Sequence, residues 1–134
     1  MNEKIILTFG YGNRTNYSDL SSVIEDYNVS FVVDIRKKPR GWSAIWNSSS
    51  LDNFCNSIGI QYISKVDLGN ESGKSNWIPK DSGKAEVALE DISRLSEEHN
   101  ILLLCAEKDW KRCHRTAVSV RLQDKTGHEI LHIK

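Results

Sequence analysis

Five short apolar runs, at residues 4–9, 31–35, 60–63, 101–106 and 129–133, have the length of buried strands. Between them the apolar residues recur at helical spacing. Leu20, Val23, Ile24 and Tyr27 fall on one face, as do Leu51, Phe54, Cys55 and Ile58. Residues 85–98 place Val87, Ala88, Leu89, Ile92 and Leu95 together, and residues 113–123 form the last helical stretch. Ser18 and the serines at 48–50 read as helix starts, and Gly59 as a helix stop. Strands alternating with helices predict an α/β fold with three layers: a mostly parallel sheet of about five strands with helices on both faces.

Two segments stand outside this alternation. Gly10-Tyr11-Gly12-Asn13-Arg14 follows the first strand as a turn whose glycines permit close backbone approach. Residues 65–84 lose periodicity and fill with Gly, Ser, Asn and Lys, forming a loop beyond the ~12 to 15 residues above which loops in a compact domain are uncommon and tend to be functional or disordered. Trp77 inside this polar stretch needs something to pack against, which favours an ordered lid over a disordered linker.

Composition narrows the function. At 134 residues the chain is read as a single α/β domain over residues 1–134, large enough for its own core. Lys and Arg total 18, and Asp and Glu also total 18, so the general basic excess of a duplex-binding protein is missing. Nucleic acid is therefore disfavoured as a partner, and local patches must carry any anion binding. Three cysteines without close repeated spacing argue against a disulfide framework and fit a reducing compartment. With no signal-like or membrane-spanning stretch, a cytoplasmic location is expected and a membrane partner is not. Oligomeric state is left open.

Candidate chemistry gathers where strands would end. In a parallel sheet the carboxyl ends of strands one, two and four would bring Gly10, Tyr11, Asn13, Arg14, Asp34, Arg36, Cys105 and Glu107 beside the helix start at Cys113, His114 and Arg115. A helix start also favours anions through its free N–H groups and dipole. Arg36, Lys37, Lys38 and Arg40 precede Trp42 and Trp46, mixing guanidinium forks for phosphate with flat surfaces for a planar base. A solvated basic loop with one tryptophan plugging the core is the alternative. Trp77 and Trp110 are further stacking candidates. Asp34 and Arg36 share a strand face and could pair with each other.

Glu107 at a strand end suits ribose hydroxyls or general acid/base work, with an ion pair as the structural alternative. Cys105 resembles the strand-ending cysteine of phosphatase and rhodanese loops, but Arg115 stands ten positions later with no Gly between. Packing at a strand end is the competing role. Cys105, Cys113 and His114 raise a metal site, yet neither C-x-x-C nor H-x-x-x-H occurs and the ligands fall short of a closed tetrahedron. No metal and no cofactor are expected. His128 and His132, near a final hairpin, read as exposed strand histidines.

Val32-Val33-Asp34-Ile35-Arg36, Gly59-Ile60-Gln61-Tyr62, Leu68-Gly69, His132-Ile133 and above all the segment from Leu102 to Arg115 resemble the domain of unknown function 488 family. That family pairs a "VDVR" strand with a late "LLCaE…CHR" segment. Cys105, Glu107, Cys113, His114 and Arg115 match at the family's spacing. Where the family usually has Gly-His-Ser after the first strand, this chain has Gly10-Tyr11-Gly12-Asn13-Arg14. The resemblance implies a fold and candidate residues more than a reaction.

The expected function is binding of a small phosphorylated ligand of nucleotide or ADP-ribose type, in a cleft roofed by residues 65–84, to sense or sequester it. The alternative is an enzyme cleaving a glycosidic or phosphate bond of a nucleotide or nucleic-acid-derived substrate, with Glu107 as acid/base and Cys105 or water as nucleophile.

Overall fold

The computed structural model describes residues 4–134. Five strands, β1 (Ile5–Gly10), β2 (Val29–Asp34), β3 (Gln61–Ser64), β4 (Asn100–Cys105) and β5 (Glu129–His132), form one sheet in the order β3-β2-β4-β1-β5. Every pairing is parallel. Four α-helices connect them: α1 (Ser18–Asp26), α2 (Ser48–Ser57), α3 (Ser82–Ser96) and α4 (Arg115–Thr126).

The inner strands are apolar at nearly every position because helices cover both faces. Side chains alternate across the sheet, so β4 sends Ile101 and Leu103 to one side and Leu102 and Leu104 to the other. The first side packs on Ala88, Leu89 and Ile92 of α3 and Val118 and Leu122 of α4. The second packs on Leu20 and Ile24 of α1 and Leu51 and Cys55 of α2. Each such Leu or Ile contributes roughly 1.5–3 kcal/mol on full burial. The three-layer α/β expectation holds, with an entirely parallel sheet.

Helix ends show small departures from the sequence reading. Ser18 is the first residue of α1, and its N–H donates to the Asn16 side chain instead of Ser18 acting as cap. Asp81, unrecognised in the sequence, caps α3 by accepting from the Lys84 N–H at 3.0 Å. The last strand belongs to no hairpin: α4 carries the chain across, and β5 pairs with β1 through Leu7 and Leu131. His132 is thereby half-buried, with Nδ1 2.7 Å from the Thr8 hydroxyl and its ring stacked on Trp110 at 4.2 Å. The expectation of an exposed His132 is corrected by that packing. No helix among the described residues is long and apolar enough to cross a membrane.

Candidate functional site

From β2 the chain moves outward to β3, whereas from β4 it moves the opposite way to β5. Loops leaving these adjacent strands diverge, and a crevice opens between their carboxyl ends. The cleft there measures about 720 Å³. Its floor is Cys105, Ala106, Cys113 and His114, with Tyr11 arriving from the end of β1.

Three loops supply the walls. Arg36, Lys37, Lys38 and Arg40 follow β2; Glu107 and Arg112 follow β4; Asn70, Gly73, Lys74 and Ser75 come from the loop between β3 and α3. That loop is ordered by its own hydrogen bonds. The Asn70 side chain accepts from the N–H groups of Ser72 and Ile78, and the Trp77 indole donates to the Gly69 carbonyl at 3.1 Å. Gly69 permits the loop to dock, since a Cβ there would strike the Lys37 backbone. Trp77 packs against the core beside α3 and α4, so it holds the lid rather than facing the cleft.

Six cations, Arg36, Lys37, Lys38, Arg40, Lys74 and Arg112, line the cleft against one carboxylate, Glu107. Two are balanced: Arg36 by Asp34, and Lys37 by Glu71 at 3.6 Å. Lys38, Arg40, Lys74 and Arg112 have no carboxylate within 4 Å among the described residues. A chain of zero formal charge thus concentrates positive potential in one place.

Beneath this wall lies a buried polar cluster. Asp34 is fully buried, and its carboxylate accepts from Arg36 Nε at 2.8 Å, Arg36 Nη2 at 2.6 Å and the Tyr62 hydroxyl. Burial disfavours the Arg36 charge, but hydrogen bonding and attraction to Asp34 outweigh it and raise its pKa above the ordinary arginine value. Burial, followed by the Asp34 charge, pushes the Tyr62 hydroxyl up as well. Tyr11 receives Arg36 Nη1 at 3.4 Å and stacks on the fully buried Trp46 at 4.7 Å. Trp46 is therefore the core plug of the basic loop. Trp42 is 63% exposed, outside the cleft, with its indole donating to the Gly12 carbonyl.

Arg115 occupies a place that the sequence did not suggest. It is fully buried and does not line the cleft. Its Nη1 donates to the Glu107 carbonyl and to Cys105 Sγ at 3.4 Å, and its Nη2 to the Lys108 carbonyl at 3.1 Å. It clamps the loop that forms the cleft floor. Burial lowers its pKa to about 10, so it remains charged at neutral pH. Gly10 fits under the same loop, because a Cβ there would strike the Glu107 carbonyl.

Of the other expected site residues, Arg14 lies over the Phe9 ring at 4.8 Å and pairs with Asp19. Asn13 and Trp110 border shallower depressions that share the 106–109 loop with the cleft. The structure therefore brings together Tyr11, Arg36, Cys105, Glu107, Cys113 and His114 as cleft lining, and puts Gly10, Asp34 and Arg115 directly behind it. Lys38 and Arg40 belong to the basic run after β2 and Arg112 to the basic run before α4, both of which the sequence marks as cationic, whereas nothing in the sequence singles out Asn70 or Lys74.

The sulfurs of Cys105 and Cys113 are brought to bonding distance, a contact that the cysteine spacing does not suggest. A 3-10 turn at Trp110–Arg112 folds the chain back and brings the eight-residue separation to contact. Cys55 is the free thiol among the described residues. Burial, reinforced by the Asp52 charge, pushes its pKa up to about 12. Iodoacetamide at pH 8 should therefore leave the non-reduced folded protein unlabelled, and denaturation should expose one thiol to it; mass spectrometry showing native Cys55 labelling would contradict this burial.

His114 accompanies the pair. Its Nε2 lies 3.0 Å from the Ile35 carbonyl and its Nδ1 3.9 Å from Cys113 Sγ. Burial, aided by the Arg115 charge, lowers its pKa below the ordinary histidine value despite the opposing backbone hydrogen bonds.

Fold and site together define a parallel α/β protein with a cation-walled cleft at the switch point of its sheet. The chain belongs to the DUF488 family: the family model, described as "Domain of unknown function DUF488", matches residues 17–122. The matched span holds the loops after β2, β3 and β4 and leaves out the Gly10-to-Arg14 turn, where the chain departs from the family pattern. No curated protein and no solved structure matches the chain.

Proposed function

We propose that the cleft binds a small phosphorylated ligand of nucleotide or ADP-ribose type, to sense or sequester it. The observation that carries this reading is the group of four cations, Lys38, Arg40, Lys74 and Arg112, without acidic partners among the described residues and facing one space. Four positive charges suit two phosphates better than one. Arg40 and Arg112 offer planar forks, and Lys38 and Lys74 supply mobile point charges. Glu107, with one carboxylate oxygen not used by the Asp109 N–H, provides an acceptor for ribose hydroxyls, and the volume lies within the roughly 300–1,000 Å³ of small-molecule sites.

A second reading, cleavage of a glycosidic or phosphate bond, is favoured by Glu107, the sole carboxylate among the lining residues. One of its oxygens already accepts from the Asp109 N–H at 3.0 Å, which fixes its position. Cys105, joined to Cys113, offers no nucleophile in that form.

Calorimetry with ADP-ribose, ADP and AMP tests the proposal. The diphosphates should bind more tightly than AMP. Arg40→Gln and Arg112→Gln should each weaken them by about ten- to a hundredfold, since each removes a charge-assisted bond of roughly 1.5–3 kcal/mol. Chromatography of the incubated ligands distinguishes holding from turnover. No heat and no retention with any of the three at millimolar concentration would defeat the ligand class.

A further inference from the structure

We propose that Cys105, Cys113 and His114 form a binding site for a thiophilic divalent cation of the zinc class, filled when the two cysteines are free thiols. Their ligand atoms lie within 4.8 Å of one another, at the floor of the cleft. The three come from two segments, the end of β4 and the residues just before α4, so the fold rather than a sequence motif assembles them.

His114 is prepared for such a role. A carbonyl can only accept, so Nε2 carries the hydrogen that the Ile35 oxygen receives at 3.0 Å. The lone pair is then on Nδ1, the nitrogen that faces Cys113 Sγ. A backbone carbonyl that fixes the tautomer and ring orientation is the usual support of a metal-binding histidine. The sulfurs have support of their own: the Arg115 backbone N–H lies 3.5 Å from Cys113 Sγ, and Arg115 Nη1 lies 3.4 Å from Cys105 Sγ. Both are donors that stabilise thiolates.

The Cα atoms of Cys105 and Cys113 are 7.6 Å apart, wider than the roughly 4.4–6.8 Å usual for a disulfide. This span leaves room for an ion held at about 2.3 Å from each sulfur once the thiols separate. Sulfur donors select zinc-like ions over calcium or magnesium. Two thiolates cancel the two charges of the ion, so the buried Arg115 cation does not oppose binding. Each thiol releases its proton to solvent on coordination, and no electron changes hands. With three protein ligands on the cleft floor, the fourth position faces the cleft, open to water or to an anion.

Cobalt(II) is the probe, added to the full-length chain reduced with a phosphine and freed of reductant under argon. One cobalt per chain should bind, with thiolate-to-cobalt charge-transfer absorption and tetrahedral visible bands, and equimolar zinc should erase both. The disulfide form of the same chain should give neither, a comparison that needs no variant to fold. Cys113→Ser should lose the charge-transfer band and Cys55→Ser should keep it. The proposal is overturned if reduced wild-type protein takes up no cobalt at micromolar metal, if the disulfide form gives the same spectrum, or if Cys55→Ser removes it. No phosphorylated ligand is present in this assay, so its result stands apart from that of the ligand calorimetry.

Discussion

Asp34→Asn should cost about 3–5 kcal/mol of folding stability, the loss expected when one partner of a buried ion pair is removed. Asp34 is fully buried and Arg36 is only 6% exposed, so the guanidinium cannot turn to water without breaking the packing around Tyr11. Asparagine keeps the shape but removes the charge, and its amide would set a donor against the Arg36 and Tyr62 donors that the carboxylate now satisfies. Urea denaturation should show a lower midpoint with an unchanged slope. Replacing both residues, as in Asp34→Leu with Arg36→Met, should cost less than Asp34→Asn alone, because the stranded charge disappears with its partner. A loss below about 1 kcal/mol for Asp34→Asn would mean that Arg36 finds another partner and that the pair does not organise the cleft wall.

Arg115→Met should be of similar size, about 2–4 kcal/mol, although methionine fills much of the same space. Two backbone carbonyls, those of Glu107 and Lys108, lose a charged donor, and hydrogen bonds to charged groups contribute roughly 1.5–3 kcal/mol each. The effect should reach the cleft without touching it. Residues 106–109 should exchange their amide hydrogens faster, and ligand affinity should fall, though Arg115 does not line the cleft. Unchanged stability together with unchanged exchange at 106–109 would refute the clamp. Arg115→Lys should recover only part of the loss, because one ammonium cannot span the carbonyls that the guanidinium fork reaches.

What could be read from the sequence was whatever local pattern determines. Residues 101–104 announce a strand buried on both faces, Leu20 with Ile24 and Leu51 with Cys55 announce helices, and the VDIR match put Asp34 and Arg36 at a strand end. The position of Arg115 was hidden because arginine is an ordinary surface residue, and only the turn of the 106–109 loop supplies the carbonyls that allow its burial. Trp46 could equally have been a stacking platform. Its neighbours Tyr11 and Tyr17 are distant in sequence, and their rings decide that it is core. Cys105 and Cys113 have no spacing that marks a pair, since their contact depends on a 3-10 turn that leaves no apolar periodicity. The parallel seat of β5 depended on β1, the most distant strand in the chain, and no local signal reports that.

Strand order also fixes when this molecule can fold. Both partners of β1, β4 and β5, lie in the last third of the chain. During synthesis Ile5–Gly10 therefore emerges with neither neighbour available, and only β2 and β3 can pair before residues 100–105 appear. The β2–β3 pair with α1, α2 and α3 still lacks the strand that joins it to β1, so sheet completion waits for β4 and then proceeds across most of the molecule at once. Until then the nascent chain carries an unpaired apolar strand, a period in which holding factors or neighbouring copies compete with its own distant partners.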